Sequence, residues 1–533
     1  MGEAELDAPA PADADQSRAW YAPRPGLSSE TNRHVFPNGS LAPWARTLLV
    51  TLAAVPAIAG AALLAIHVLR PGAATRGAPL DAGPPPAVVY ARPLCSFSNE
   101  DANAALVQGA DGGESIVIGD KTWWLFGDTL FQAESGKQIE QNSIAWSDSL
   151  RPDGCPLLHY YARAGVAIPF LPKDGSLTVW PTGAWPVDDH SFDFYTAYVY
   201  GSGPYGYSID EVGLAHLDTA TMQVTVLKRT LWDRDSGFPD NVIGTQPIDL
   251  DAEGRLRIVL QTSASTKLLA RVRPAALADT SAYEYWDGQA WSPSPANAAP
   301  LWPQAHSDDP VQKLASFENG ASIAWNEALH KYVALTNIGY SAIGARTADQ
   351  LEGPWSDAQP WLDCLAFAEP RVPTCYSPLQ HPSLATNGGR TILATLTRMA
   401  TYDVAAFELT LATPIHEYHD GDSVIYGDGS QRAGSDKGVA FDASSDPLPG
   451  FVPVYRWRRG AETQYAVAAP ADGFARESDA AFYAAPSAAV FGSETKYRRV
   501  YDWSNGKSHL LSPLTRGLDQ YGYTQGAIAF YVP

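Results

Sequence analysis

The chain of 533 residues is 45% hydrophobic and only 18% charged, and it contains 44 glycines, 42 prolines, 16 tryptophans, 25 tyrosines and 17 phenylalanines. This composition excludes a wholly disordered chain, and so many turn-forming and aromatic residues exclude a helical bundle or coiled coil. The formal net charge of −21 excludes nucleic acid as an expected partner, because a polyanion would be repelled.

The N-terminal part has the pattern of a membrane anchor. Residues 48–69 (LLVTLAAVPAIAGAALLAIHVL) lack Asp, Glu, Lys and Arg and are long enough to span a bilayer as a helix. A cleavable signal peptide is the alternative, but a long polar segment precedes these residues and no small-residue cleavage site follows them. We predict a disordered cytoplasmic tail over 1–47, a transmembrane helix over 48–69 and a Pro-rich linker over 70–92. The protein is then a single-pass protein of the cell membrane with its C-terminal part extracytoplasmic.

All four cysteines follow the apolar segment: Cys95, Cys155, Cys364 and Cys375. An even number of cysteines in an acidic extracytoplasmic region predicts disulfides. Cys364 and Cys375 are the favoured pair because they lie close together in one loop-like stretch. Four buried thiols are the alternative. No C-x-x-C spacing occurs, so we predict no metal site.

Five similar units follow one another over residues 93–414, each with short β-branched and aromatic runs separated by Gly, Asp and Asn. Their first strands are predicted to begin near Asp111, Ala184, Val242, Glu318 and Gln380. The mean spacing is about 67 residues. A meander of three or four strands cannot bury both of its faces alone, so these units favour radial packing into a five-bladed β-propeller.

Residues 415–533 carry a second repeat of about 45 residues. The phrases GVAFD, AAFYA and AIAFYV surround Phe441, Phe482 and Phe530. Three copies predict a small threefold β module similar to a β-trefoil. The predicted fold class is therefore all-β: a propeller and a trefoil-like module, preceded by one transmembrane helix.

The stretch GADGGESIVIGDKTWWLFGDTLF contains the main candidates for chemistry. Asp111 is predicted to begin the first strand of its unit and Asp128 to end the second, so the two carboxylates should approach each other at the central funnel. Hydrolysis of a glycosidic bond requires such a pair, one as acid and the other as base or nucleophile. The alternative is that both residues cap turns, because Asp-Gly and Gly-Asp are common turn formers.

Four further residues are predicted to belong to the same funnel. Glu318 and His381 lie where the first strands of the fourth and fifth units should begin, and Asn142 lies early in the third strand of the first unit. Trp180 precedes the second unit and offers an indole on which a sugar ring can stack. We predict a catalytic role for Glu318 and substrate binding by Asn142, Trp180 and His381. No motif indicates a cofactor, and a central structural cation is left open.

The stretches ADGGESIVIGDKTWWLFGDTLF, NSIAWSDS, LEGPWSDAQPW and HPSLATNGGRTILATLTR resemble the domain family DUF4185 over roughly residues 95–413. This resemblance implies a five-bladed propeller, and some members of that family are endo-D-arabinofuranases of glycoside hydrolase family 183. Asp111 and Asp128 match the family's two acidic positions in the first blade. The C-terminal repeats resemble a "YR…hfyt…GiAFYv" module of secreted bacterial proteins, with NGKSHLLS around His509 departing from its pattern.

The sequence thus predicts a membrane-anchored, extracytoplasmic glycoside hydrolase that acts on a cell-surface polysaccharide. A furanose-containing glycan such as arabinan or arabinogalactan is the expected substrate. The alternative is a catalytically inert propeller that binds glycan or protein at the cell surface.

Overall fold

The computed structural model describes residues 84–97, 104–132, 138–201, 207–303, 321–339, 341–364, 374–399, 401–421, 423–430, 434–471, 473–477, 479–491, 497–506 and 508–533. The predicted cytoplasmic tail, the transmembrane helix over 48–69 and Glu318 all lie outside these residues. Within the described ranges, no helix is long and apolar enough to cross a membrane.

The described residues between 88 and 411 form five antiparallel sheets. The first described strand, β1 (Val88–Ser96), belongs to sheet 5, and β6 (Ala162–Arg163) and β7 (Val166–Ala167) form an additional small hairpin. Sheet 1 consists of β2 (Val107–Ile118), β3 (Lys121–Gln132), β4 (Gln138–Ser147) and β5 (His159–Tyr160). Sheet 2 consists of β8 (Thr178–Asp188), β9 (Ser191–Tyr200), β10 (Ser208–Asp218) and β11 (Gln223–Asp233). Sheet 3 consists of β12 (Val242–Leu250), β13 (Leu256–Thr262), β14 (Lys267–Val272), β15 (Glu284–Trp286) and β16 (Trp291–Ser292).

Sheet 4 consists of β17 (Ala321–Asn326), β18 (Lys331–Ile338), β19 (Ala342–Ala348) and β20 (Gln359–Asp363). Sheet 5 consists of β21 (Cys375–Gln380), β22 (Thr391–Arg398), β23 (Asp403–Leu411) and β1. Short 3-10 turns lie at Pro274–Ala276, Thr280–Ala282, Pro295–Asn297, Pro382–Leu384, Asn387–Gly389, Ala488–Phe491 and Asp519–Tyr521.

Strand β3 shows why these sequences form sheets that are buried on both faces. Successive side chains of a strand point to opposite faces. Trp123 and Leu125 pack against sheet 2, whereas Trp124 and Phe126 pack against sheet 5. A run of large apolar residues therefore satisfies two interfaces at once, and Trp124 has no exposed surface.

The five sheets close into a ring. Four buried clusters are each shared by two sheets that follow one another in the chain, and a fifth cluster, around Trp124, joins sheet 5 back to sheet 1. The first strands of neighbouring sheets contact each other around this ring, and they therefore line its centre. Polar residues on β2, β8 and β21 are thereby brought to one place although they are far apart in sequence.

Strand β1 completes the ring by pairing with the last strand of sheet 5. The antiparallel register runs from Val88 opposite Leu411 to Ser96 opposite Ala405. Beyond this pairing, the N–H of Phe97 donates to the carbonyl of Val404 (2.8 Å). The N-terminal strand therefore covers what would otherwise be an open sheet edge.

Three first strands begin earlier than the sequence predicts. β2, β8 and β21 start at Val107, Thr178 and Cys375 rather than at Asp111, Ala184 and Gln380, whereas β12 starts at Val242 as expected. The reason is that the register of each of the three strands shifts at internal Gly or Pro residues. Such residues in a sequence indicate a turn, but here they form β-bulges within continuous strands.

Residues 413–532 form three small β-sheets that share one buried core. Their strands are β24 (Thr413–Asp420), β25 (Ser423–Gly427), β26 (Ser435–Ala443), β27 (Val452–Arg459), β28 (Glu462–Ala466), β29 (Ala475–Arg476), β30 (Phe482–Ala484), β31 (Arg498–Ser504), β32 (His509–Ser512) and β33 (Thr524–Val532). Phe441, Phe482 and Phe530 meet edge to face in this core, with ring centroids 5.4 to 5.6 Å apart. The repeat seen in the sequence therefore reflects a shared aromatic core. The all-β class is confirmed.

Two disulfides connect the sheets of the ring. Cys364 and Cys375 join the end of sheet 4 to the first strand of sheet 5, and Cys95 and Cys155 join β1 to the loop that follows β4. The predicted pairing of Cys364 with Cys375 is confirmed. The second bridge ties the closing strand to sheet 1.

We expect the two disulfides to contribute unequally to stability. The separations of 11 and 60 residues correspond to about 3 and about 4 kcal/mol in the chain-entropy model. Replacing Cys95 and Cys155 together by Ser should therefore lower the free energy of unfolding more than replacing Cys364 and Cys375. Denaturant unfolding measures this difference. Mass spectrometry of unreduced peptides should show both pairs joined, and alkylatable thiols at these positions would contradict the assignment.

Candidate active site

Facing β-bulges in sheet 1 bring Asp111 and Asp128 together. The register between β2 and β3 shifts on both sides of Gly112, and that between β3 and β4 shifts between Phe126 and Thr129. The backbone N–H of Asp128 donates to Oδ1 of Asp111 (2.8 Å). Both aspartates are therefore bulge residues inside strands rather than residues at strand ends. Bulges are frequent beside active sites, where they redirect a side chain.

Two tyrosines from sheet 5 reach the other oxygen of Asp111. The hydroxyls of Tyr376 and Tyr402 donate to Oδ2 at 2.9 and 3.2 Å. Burial and, secondly, the charge of Asp111 raise the pKa of Tyr376 far above its usual value, so its hydroxyl keeps the proton that it donates. Neither tyrosine belongs to a sequence motif, so the sequence does not mark either as a candidate.

Trp180 holds the second carboxylate. Its indole N–H donates to Oδ1 of Asp128 (2.6 Å), and its ring lies 5.5 Å from that of Tyr207, whose surface is 40% exposed. A Cβ at Gly127 would lie 2.7 Å from Oδ1 of Asp111 and 3.6 Å from Trp180, so only glycine permits this close packing. The structure therefore places Trp180 beside the carboxylate pair, with its polar atom already bound to Asp128.

A third carboxyl group, that of Glu114, lies on the same strand as Asp111. It accepts a hydrogen bond from the backbone N–H of Ala184 on β8, and burial raises its pKa to about 8. The residue is nevertheless not completely sealed from solvent. Glu114 therefore keeps its proton at neutral pH. Its place in DGGES, three residues after Asp111, was the available sequence signal.

Asn142 does not belong to this site, contrary to the prediction. Its side chain is 1% exposed, and its Oδ1 accepts the backbone N–H groups of Phe170 and Leu171 at 3.1 and 3.0 Å. Its Nδ2 donates to the carbonyl of Leu171 (3.2 Å). Because this amide is satisfied by a neighbouring loop and sealed from solvent, it stabilises the fold and cannot reach a substrate.

His381 is also buried rather than available for substrate binding. It has no exposed surface, its two ring nitrogens pair with Ser115 Oγ (2.7 Å) and Thr395 Oγ1 (2.9 Å), and its ring packs on Trp124 at 4.7 Å. Burial lowers its pKa to about 3. The prediction was wrong because the residue that begins the 3-10 turn after β21 points into the interface between sheets 5 and 1.

The described part of the chain also contains a groove that lacks an acidic pair. This apolar groove between sheets 2 and 3 includes Trp185 and Leu277, and its one acidic residue, Asp193, is bonded to His216 (2.8 Å). Within the described ranges, no three His, Cys, Asp or Glu residues are grouped as metal ligands. Glu318 lies outside the described residues, so its predicted role stays a prediction.

A family match supports the resemblance noted in the sequence. Residues 260–408 match DUF4185, a domain of unknown function. The DUF4185 segment runs from β13 to β23 and contains Tyr376 and Tyr402, whereas Asp111 and Asp128 precede it. No curated protein matches the chain.

Several solved structures with a detectable likeness are glycoside hydrolases. A family 117 glycoside hydrolase of the marine bacterium Zobellia galactanivorans is 14% identical, covering 61% of this chain and 90% of its own, with a TM-score of 0.35. An exo-β-1,3-galactanase of Phanerochaete chrysosporium is 13% identical, covering 79% and 88%, with a TM-score of 0.35. An α-L-arabinofuranosidase of Clostridium thermocellum is 10% identical, covering 62% and 93%, with a TM-score of 0.34. Such low scores transfer neither activity nor substrate to this chain.

The buried His381 should make the protein sensitive to acid. Its folded pKa of about 3 lies below the ordinary value of 6.5, so the unfolded state takes up a proton first as the pH falls. The stability due to neutral His381 is complete above about pH 6.5 and is lost as the pH falls towards 3. We expect the free energy of unfolding of His381→Gln to depend less steeply on pH between 7 and 4 than that of the wild type.

Denaturant unfolding at several pH values measures this slope. His190→Gln is the matched control, because His190 lies in an exposed turn. Equal slopes for His381→Gln and the wild type would contradict the assignment of a neutral, buried imidazole.

Proposed function

We propose that the five sheets are the blades of a five-bladed propeller and that the protein is a glycoside hydrolase. The observation that carries this proposal is the juxtaposition of Asp111 and Asp128 in facing bulges beside the centre of the ring. Cleavage of a glycosidic bond commonly uses two neighbouring carboxyl groups. One protonates the leaving oxygen, and the other acts as base or nucleophile.

The surroundings of the pair suit this chemistry. The donors described around the carboxylates are an amide N–H, two phenols and an indole. Because these groups are uncharged, they orient the acids without neutralising them. Glu114 adds a protonated carboxyl rather than a third negative charge at neutral pH. Asp111, Asp128 and Trp180 are each half-buried, so a glycan has access to them.

The proposed substrate is a cell-surface polysaccharide that contains furanose sugars, such as arabinan or arabinogalactan. Support for this choice is the DUF4185 match together with the resemblance of the first sheet to that family. Trp180 and the exposed ring of Tyr207 offer aromatic surface for a sugar beside Asp128. The three-part C-terminal module, proposed to be trefoil-like, would hold the enzyme to its glycan.

Conservative replacement of either aspartate should stop hydrolysis. Asp111→Asn and Asp128→Asn should each lower turnover by at least about 100-fold, the lower end of the contribution of a positioned acid or base. The purified full chain is incubated with arabinans, galactans and arabinogalactan, and the products are separated by chromatography. Asp287→Asn is the matched control, because Asp287 caps an exposed turn of sheet 3.

Retention of parental turnover by both site variants would reject the catalytic pair. If the wild-type chain binds these glycans without releasing products, the protein is instead an inert glycan-binding propeller. Glycan binding by both Asn variants separates a loss of chemistry from a loss of folding.

We also propose that residues 48–69 anchor the protein in the cell membrane with its propeller outside the cytoplasm. The apolar segment and the two disulfides support this orientation, because disulfides persist in oxidising compartments. Protease added to intact cells should digest the region after residue 70 and spare the tail, as immunoblotting of each end would show. Digestion of the tail with an intact C-terminal part would overturn this topology.

A further inference from the structure

The carboxylate of Asp111 is bound from two directions. Its Oδ1 accepts the N–H of Asp128 (2.8 Å), and its Oδ2 accepts the hydroxyls of Tyr376 (2.9 Å) and Tyr402 (3.2 Å). The amide belongs to sheet 1, whereas both phenols belong to sheet 5. Three donors on one carboxylate favour its ionised form and fix its plane.

The two tyrosines are held by unusual backbone. Tyr402 has φ +50°, and Ser377, which follows Tyr376, has φ +49°. Residues other than glycine seldom adopt such a positive φ. The carbonyl of Tyr402 accepts the N–H of Ala110 (2.9 Å), and a Cβ at Gly109 would lie 2.3 Å from that carbonyl. Strain of this kind persists where the surrounding structure imposes it.

Tyr376 is additionally fixed through its neighbour in the chain. Cys375 forms the disulfide with Cys364, and its carbonyl accepts the Nδ2–H of Asn337 (2.9 Å). The start of β21 is thus attached to sheet 4 by a covalent bond and a hydrogen bond. Neither attachment contacts Asp111, but both determine where the phenol of Tyr376 lies.

We propose that Tyr376 and Tyr402 are positioning residues that hold Asp111 as the ionised member of the carboxylate pair. This proposal rests on the proposed hydrolase function and deepens it. The described contacts of Asp111 involve three titratable residues, Asp128 on β3, Tyr376 on β21 and Tyr402 between β22 and β23, and Glu114 follows it on its own strand. Because Tyr376 keeps its proton, it acts on Asp111 as a donor throughout the neutral pH range.

Removing one donor should make Asp111 take up a proton at higher pH. A hydrogen bond to a charged group corresponds to about one pH unit, so Tyr376→Phe and Tyr402→Phe should each move the acidic limb of the kcat/KM profile upward by about that much. The double variant should shift further. A role confined to folding would lower the melting temperature without moving this limb.

A second readout does not depend on hydrolysis. Carbodiimide couples an amine to carboxyl groups that carry a proton, and peptide mass spectrometry reports the labelling of Asp111 as a function of pH. We expect labelling of Asp111 in Tyr376→Phe to begin about one pH unit higher than in the wild-type full chain. Tyr332→Phe is the matched control, because the hydroxyl of Tyr332 donates to a different aspartate, Asp249 (2.5 Å).

The outcomes separate this proposal from the proposed function. A shift in both the labelling profile and the acidic limb, with Tyr332→Phe unchanged, supports it. If arabinogalactan is hydrolysed but neither profile moves in the double variant, the positioning role is overturned while the hydrolase function stands. If labelling shifts but the wild-type chain hydrolyses none of the glycans, the hydrolase function is overturned and the tyrosines hold Asp111 for another purpose.

Discussion

The pairing of β1 with β23 is the contact on which the rest of the ring depends. Without β1, sheet 5 would end in an unpaired strand, and the cluster shared by sheets 5 and 1 would lose Phe97, which packs on Trp124. Four of the five interfaces join sheets that follow one another in the chain. Only this one joins the two ends of the ring, so it converts a row of sheets into a closed structure with a centre.

The carboxylate site lies across that same interface. Asp111 belongs to the first sheet after the closing strand, whereas Tyr376 and Tyr402 belong to the last sheet. Gly109 and Gly127 allow the strands to approach closely enough for these contacts, because a Cβ at either position would meet an oxygen at less than 3 Å. Ring closure and site geometry therefore depend on the same close contacts. A change that disturbs the interface between sheets 5 and 1 would also displace the carboxylates.

Part of this arrangement could be predicted from the sequence, and the reasons for success differ from those for failure. Asp111 and Asp128 were expected to approach each other because a two-strand meander brings its outer ends together. The closure by β1 was not predicted, because nothing in a single strand identifies a partner that lies some 300 residues away. Tyr376 was missed for the same reason: a bulge at Ser377 and Pro378 looks like a turn, and the partner of Tyr376 is distant in sequence.

Burial explains the wrong predictions. Asn142 and His381 were predicted to line the funnel, but their polar atoms face a loop and neighbouring strands. A period of two along a strand shows that a residue points to one face, not whether that face meets solvent or another sheet. Glu114 illustrates the converse, since it lies on a first strand and is not fully sealed from solvent.

The disulfide between Cys95 and Cys155 has a consequence for how the ring is made. Because the chain is synthesised from its N-terminus, β1 is complete long before β23. Until β23 is made, the edge of β1 is unpaired and can bind wrong partners. Both cysteines of this bridge, however, emerge early and within 60 residues of each other. Once oxidised, they keep β1 beside sheet 1, so β23 on its arrival finds the strand already in place. The bridge thus fixes β1 against sheet 1, the sheet that the last sheet must meet to close the ring.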